Sequence, residues 1–100
     1  MVEPTLTDAQ RLIVEVCDEL KAMLLEKNSA YGNSVLDPIG VFAPEATPDL
    51  LIRTRLDDKL SRLKRGQAAG EDVEWDLLGY LILLRIARRR KAATDVTPAT

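Results

Sequence analysis

The sequence has 100 residues, enough for one compact domain and too few for two. Its 14 Lys plus Arg against 16 Asp plus Glu leave a formal charge of -2, too even for a chain built chiefly to coat nucleic acid, and 46% hydrophobic residues exclude wholesale disorder. With no His there is neither a Ser-His or Cys-His nucleophilic couple nor a Cys/His zinc site, so any catalysis falls to carboxylates holding a hard metal ion, assisted by Lys, Arg or Tyr.

The amino terminus, MVEPTLTDAQ, lacks a basic-then-apolar signal region. The longest apolar run, Leu81 to Leu84, falls far short of the ~20 residues that cross a bilayer. A soluble cytoplasmic protein is expected. The single Cys17 excludes an internal disulfide and fits a reducing compartment.

Thr7-Asp8-Ala9-Gln10 fits a capping box and predicts a first helix over about 8–28. Leu12, Ile13, Val16, Cys17, Leu20, Met23 and Leu24 fall within one arc of that helix, so Cys17 reads as a small core residue. Glu15 and Glu19 line an edge of the arc, with Asp18 further round. Their spacing suits a solvated acidic edge or one half of a metal site equally well.

Residues 28–47, NSAYGNSVLDPIGVFAPEAT, contain two Gly, two Pro and no helical period. A connection of this length is expected to bind something or to be disordered. Tyr31, Ile39, Val41 and Phe42 point to an ordered functional loop. A strap covering one end of a bundle is the structural alternative.

Thr47-Pro48-Asp49 is a strong helix start, and the second helix is expected over 48–65 with Gly66 as its stop. Ile52, Leu56, Leu60 and Leu63 form a narrow apolar stripe. Asp58 and Arg62, one turn apart, point away from it and are open to a ligand or a neighbouring subunit, or to each other as an i, i+4 pair.

The third helix is expected over 71–92. Val73, Leu77, Tyr80, Leu81 and Leu84 form one apolar face, and Trp75, Leu78, Ile82 and Ile86 a second. A helix apolar on two faces must be covered on both, which predicts a homo-oligomer assembled through it. Residues 93–100 read as a flexible tail. The expected fold is thus all-α, one domain of three helices over 1–92 with a long loop between the first two, packed as a helical bundle oligomer.

Asp72 and Asp76 stand one helical turn apart, with Gly79 on the same line. A mid-helix Gly costs about 1 kcal/mol relative to Ala, which is easier to understand where another helix or a ligand approaches closely. Two carboxylates at this spacing, facing another acidic helix, suit Mg2+ bound together with phosphate oxygens. For Asp72 alone, stabilising a helix amino terminus is the simpler reading. The basic run Arg88 to Lys91 suits a helix carboxyl end or contact with phosphates. No helix-turn-helix pattern or stacking aromatics accompany it, so sequence-specific nucleic-acid binding is not expected.

Three segments in order carry a family resemblance: Lys27-Asn28-Ser29-Ala30-Tyr31-Gly32-Asn33-Ser34, Asp58-Lys59-Leu60-Ser61-Arg62-Leu63, and Glu71-Asp72-Val73-Glu74-Trp75-Asp76-Leu77-Leu78-Gly79-Tyr80. Together they resemble the first type of nucleotide modification associated domain found in phage and bacterial proteins. Ala30 stands where that pattern would place an acidic residue. A more distant similarity is to the all-α nucleoside triphosphate pyrophosphatases of the MazG type, whose acidic helix motifs bind Mg2+. Their Glu-Glu-x-x-Glu is echoed only by Asp57-Asp58 or by Glu15 with Asp18-Glu19, and Asp72-x-x-x-Asp76 replaces their Glu-x-x-Asp.

The resemblance implies a phage nucleotide-metabolism or nucleotide-modification protein that binds a nucleotide. In the catalytic version, Asp72 and Asp76 with Glu15 and Glu19 hold Mg2+ for triphosphate pyrophosphohydrolysis. Lys27, Lys59 and Arg62 neutralise phosphate, Tyr31 and Asn33 contact base or sugar, and Asn28, Gly32 and Asp58 complete the ligand set. The alternative is a non-catalytic oligomer that sequesters a nucleotide or cyclic nucleotide.

Overall fold

A computed structural model describes residues 5–95. The described residues form three helices and no strand: α1 over Asp8–Tyr31, α2 over Pro48–Lys64 and α3 over Val73–Asp95. Helix α3 therefore takes in Ala93 to Asp95, the first part of the expected tail; the rest of that tail lies outside the described residues. No helix among the described residues is long and apolar enough to cross a membrane. The chain divides into two compact units, Met1–Gly32 and Asn33–Thr100, which are taken separately.

The first unit is built on α1. The Thr7 hydroxyl accepts from the Gln10 backbone N–H at 3.1 Å, and Thr7 N–H donates to Gln10 Oε1 at 2.9 Å, so the capping box closes in both directions. At the other end Gly32, at φ +69, takes a conformation that any Cβ would strain, and its N–H donates to the Asn28 carbonyl at 2.7 Å. Along the expected apolar arc only Leu20 is buried, while Met23 and Leu24 are half-buried. Leu12, Ile13 and Val16 are 59%, 61% and 46% exposed, and Cys17 is exposed with them rather than buried as a core residue. An amphipathic helix with this face open is not explained by intrinsic propensity, since isolated helices are marginal in water.

The second unit is an antiparallel helical hairpin of α2 and α3. Thr47 caps α2 by accepting from the Leu50 N–H at 3.2 Å, and Pro48 occupies the first helical position, where its missing N–H costs nothing. The helix ends in a Schellman turn: Gly66 N–H donates to the Leu63 carbonyl and Gln67 N–H to the Arg62 carbonyl, at 3.2 and 2.9 Å, with Gly66 at φ +70. Chain reversal over residues 65–72 then returns α3 along α2.

The hairpin core gathers Leu36, Ile52, Leu84 and Ala87, with Val35, Leu56, Tyr80, Leu83 and Ile86 packed against it. Ile52 has no exposed surface at all. The face α2 turns inward is Ile52, Leu56 and Lys59, spaced four and three, whereas Leu60 and Leu63 of the expected stripe are 51% and 54% exposed. On α3 the inward residues include Val73, Leu84 and Ala87, leaving Leu81 and Ile82 50% and 38% exposed. The segment before α2 contributes Val35 and Leu36, not the apolar residues that marked it in the sequence. Ile39, Val41 and Phe42 are 91%, 66% and 100% exposed, and Tyr31, in the first unit, 77%.

An ionic clasp joins the start of α2 to the second half of α3. Asp49 accepts from Arg53 Nε at 2.6 Å and from Arg88 Nε at 3.2 Å. Partial desolvation pushes the Asp49 carboxyl up, but the hydrogen bonds and charges of Arg88 and Arg53 outweigh it and hold the group below the usual carboxylate range. A depressed folded-state pKa gives stability that is present above the unfolded value, near ~3.9, and is lost as pH falls through the folded value. Urea midpoints of the native chain and Asp49→Asn should therefore differ by a constant amount from pH 7 to about 5, and converge on further acidification. Ile52→Ala, which truncates the one fully buried side chain among the described residues, should lower stability by about 2–5 kcal/mol at every pH, measured in the same unfolding series.

Candidate functional site

The sequence candidates fall in both units. Glu15, Glu19, Lys27, Asn28, Tyr31 and Gly32 belong to the first, and Asn33, Asp58, Lys59, Arg62, Asp72 and Asp76 to the second. Within the first unit, Lys27, Asn28 and Tyr31 share the last turn of α1. Asn28 is committed locally: its carbonyl accepts from Gly32 N–H, and its Nδ2 donates to the Gly32 carbonyl at 3.4 Å. Glu15 and Glu19 are exposed on α1.

In the second unit, Asn33 supplies a carbonyl to the Asp37 N–H at 2.7 Å, closing one helical turn after Gly32. Asp37 in turn receives Arg90 Nη1 at 3.4 Å. Arg88 and Arg90 of the basic run are thus both engaged with acids of their own unit, Asp49 and Asp37.

The principal cluster lies at the end of the hairpin where α2 finishes and α3 begins. Lys59 Nζ is 3.2 Å from Asp76 Oδ2 and 3.8 Å from Glu71 Oε1, and Arg62 Nη1 is 2.8 Å from the same Glu71 oxygen. The periodicity explains why these four meet. Lys59 continues the inward Ile52–Leu56 line of α2, Arg62 lies one turn on, and Asp76 projects from the face of α3 that carries Val73, Tyr80 and Leu84. The Lys59 side chain is 17% exposed, Asp76 21% and Glu71 26%. Charges this sheltered are screened less by salt than surface pairs, and removing one leaves its partner desolvated and uncompensated.

Structure and sequence part company at Arg62 and at Glu71, and agree at Asp58 and Asp72. Arg62, expected to be open to a ligand or neighbour, is held by Glu71 across the turn. Asp58 remains exposed on the far side of α2. Asp72 accepts from the Trp75 N–H at 3.0 Å and is the cap of α3, which is the simpler of its two readings. Glu71 belongs to the quoted motif but was not singled out. The signal that marks it is its place as the first acid after Gly70, ahead of Asp72 and separated from Lys59 and Arg62 by a short turn bounded by two glycines.

Among the described residues no group of three or more acidic or Cys side chains is gathered closely enough to hold a metal ion. What the cluster offers chemically is a pair of cations three positions apart on α2, Arg62 the more exposed at 38% against 17% for Lys59, balanced by two carboxylates. Comparison with protein-family models, with curated proteins and with solved structures gave no match.

The two aspartates separate experimentally. Asp72→Ala should cost about 1 kcal/mol of stability and reduce protection of the Trp75 amide, while Asp72→Asn, which caps equally well, should restore both. A ligating carboxylate would be lost in both variants, so hydrogen exchange on the pair distinguishes a cap from a metal ligand.

Proposed function

We propose that the chain binds a nucleotide through its phosphates at Lys59 and Arg62, and that it does so without turning the nucleotide over. The observation that carries this reading is the 3.2 Å contact between Lys59 Nζ and Asp76. A cationic pair held on a helix hairpin is suited to phosphate oxygens, with the guanidinium offering a planar fork and the ammonium a compact charge. The same contact weighs against the hydrolytic version. Mg2+ recruited by Asp76 would have to compete with the Lys59 ammonium beside it, and Asp72 serves as a helix cap. The ordered motifs at 27–34, 58–63 and 71–80, with their resemblance to the nucleotide modification associated domain, lend the ligand class.

Self-association belongs to the same reading. Leu60, Leu63, Leu81 and Ile82 leave apolar surface on the hairpin, and a homo-oligomer formed through α3 would cover part of it.

Calorimetry with a panel of ribo-, deoxyribo- and cyclic nucleotides, in EDTA and in Mg2+, tests the proposal. Saturable binding in EDTA is expected, weakened about tenfold or more by Lys59→Ala or Arg62→Ala, with no pyrophosphate released. Binding that appears only with Mg2+, together with pyrophosphate release abolished by Asp76→Asn, would establish the hydrolase instead.

A further inference from the structure

Glu71 does not behave like a partner made solely for stability. Its Oε1 alone takes both contacts, at 2.8 Å from Arg62 Nη1 and 3.8 Å from Lys59 Nζ. Its Oε2 is buried and accepts no hydrogen bond. A buried carboxylate oxygen left without a donor costs free energy, so half of this side chain is held at a disadvantage. An incoming phosphate would bring three acceptor oxygens and more negative charge to the same two cations.

The backbone around Glu71 is suited to letting it go. It sits outside α3, two residues before Val73, where its N–H donates to the Ala68 carbonyl at 3.1 Å. The preceding Gly70 has φ +81 and open space around it, and Gly66 closes the other end of the turn at φ +70. Neither Glu71 nor the turn before it belongs to the Ile52–Leu84 core. Asp76, by contrast, lies within α3 and cannot leave Lys59 without a change in the helix or its side-chain rotamer.

We propose that Glu71 is a built-in competitor: it fills the anion position of Lys59 and Arg62 in the ligand-free molecule, and a phosphate group displaces it. This rests on the nucleotide-binding reading and adds a regulatory device to it. The consequence is a self-imposed reduction in affinity, because only the fraction of molecules with Glu71 displaced is competent to bind. Asp76 remains on Lys59 throughout, so Arg62 is the cation on which the exchange turns.

The test measures affinity for inorganic pyrophosphate and for a nucleoside triphosphate in EDTA, on the native chain, Glu71→Gln and Glu74→Gln. Glu74 is an exposed acid on the first turn of α3, and its variant removes the same charge from outside the cluster. Glu71→Gln should bind both ligands about three- to tenfold more tightly, and Glu74→Gln should match the native chain. Adding Arg62→Ala to Glu71→Gln should erase the gain. Circular dichroism melts of each variant verify that the hairpin is intact, and Glu71→Ala repeats the comparison if Glu71→Gln is unfolded. If the native chain binds nucleotide and neither Glu71 variant binds more tightly, the competitor is wrong and the binding function stands. A gain that survives Arg62→Ala, or one equalled by Glu74→Gln, also overturns it, as general charge relief. If only the Glu71 variants bind, the competitor is supported in its strongest form. If nothing binds, both proposals fall.

Discussion

The second unit depends on one packing decision, the burial of Ile52 against Leu84 and Ala87. This contact fixes which side of α2 faces α3, and everything else on the hairpin follows from the register it sets. Four residues on, Leu56 continues the seam; three further, Lys59 arrives at the same seam. An ammonium in that position needs a carboxylate, and Asp76 on α3 is in place to provide one at 3.2 Å. At the opposite end Asp49 answers Arg88 and Arg53. The apolar centre sets geometry, and the two ionic ends set polarity, since an antiparallel arrangement alone brings the start of α2 to the later part of α3 and the end of α2 to its beginning.

Why ionic ends should be tolerated at all is a question of size. A short hairpin cannot bury enough apolar surface to dispense with polar residues near its seam, and long charged side chains cover apolar area with their stems while their heads reach the rim. Lys59 and Arg62 do this at one end and Arg88 at the other. Pairs of this kind add little net stability when well matched, but their loss on one side alone is costly. They therefore discriminate between the correct hairpin and a slipped one more than they stabilise it. A one-residue slip of α3 would move Asp76 off the seam and leave Lys59 without its partner.

The parts of the fold legible in the sequence were those decided by neighbours a few residues away. Thr7 with Gln10, Thr47 with Pro48, and Gly66 all announced helix ends, because cap chemistry involves only the adjacent turn. The stripe of α2 was half legible. Ile52 and Leu56 were assigned correctly, but Leu60 and Leu63 competed with Lys59 for the next position, and side-chain polarity favours leucine there. Tertiary packing chose the lysine stem. The segment 33–47 was harder still: Phe42, its largest apolar side chain, is fully exposed, whereas Val35 and Leu36, adjacent and without period, enter the core. Nothing local distinguishes the two. In the candidate site, Asp76 was legible from its spacing with Asp72, Arg62 from its position off the apolar stripe, and Lys59 only through the family resemblance. Glu71 was not, because its role arises from a turn that folds it back on residues nine and twelve positions earlier.

The same logic limits what the basic end of α3 offers to a polyanion. Arg88 and Arg90 point to an electropositive patch when counted in sequence, yet Asp49 and Asp37 take up their charges in the fold. The cluster at the other end is balanced as well, two cations against two carboxylates. The Lys59 end, at least, is not a standing field that would draw phosphates from a distance. On the proposed reading, recognition on this hairpin would work by exchange: a phosphate would gain Arg62 only to the extent that it outbids Glu71. Exchange of that kind favours compact, highly charged groups over an extended backbone of single charges. A terminal polyphosphate meets the requirement at one point, whereas a nucleic-acid strand, with one charge on each phosphate, would have to displace acids at both ends of the hairpin to gain as much.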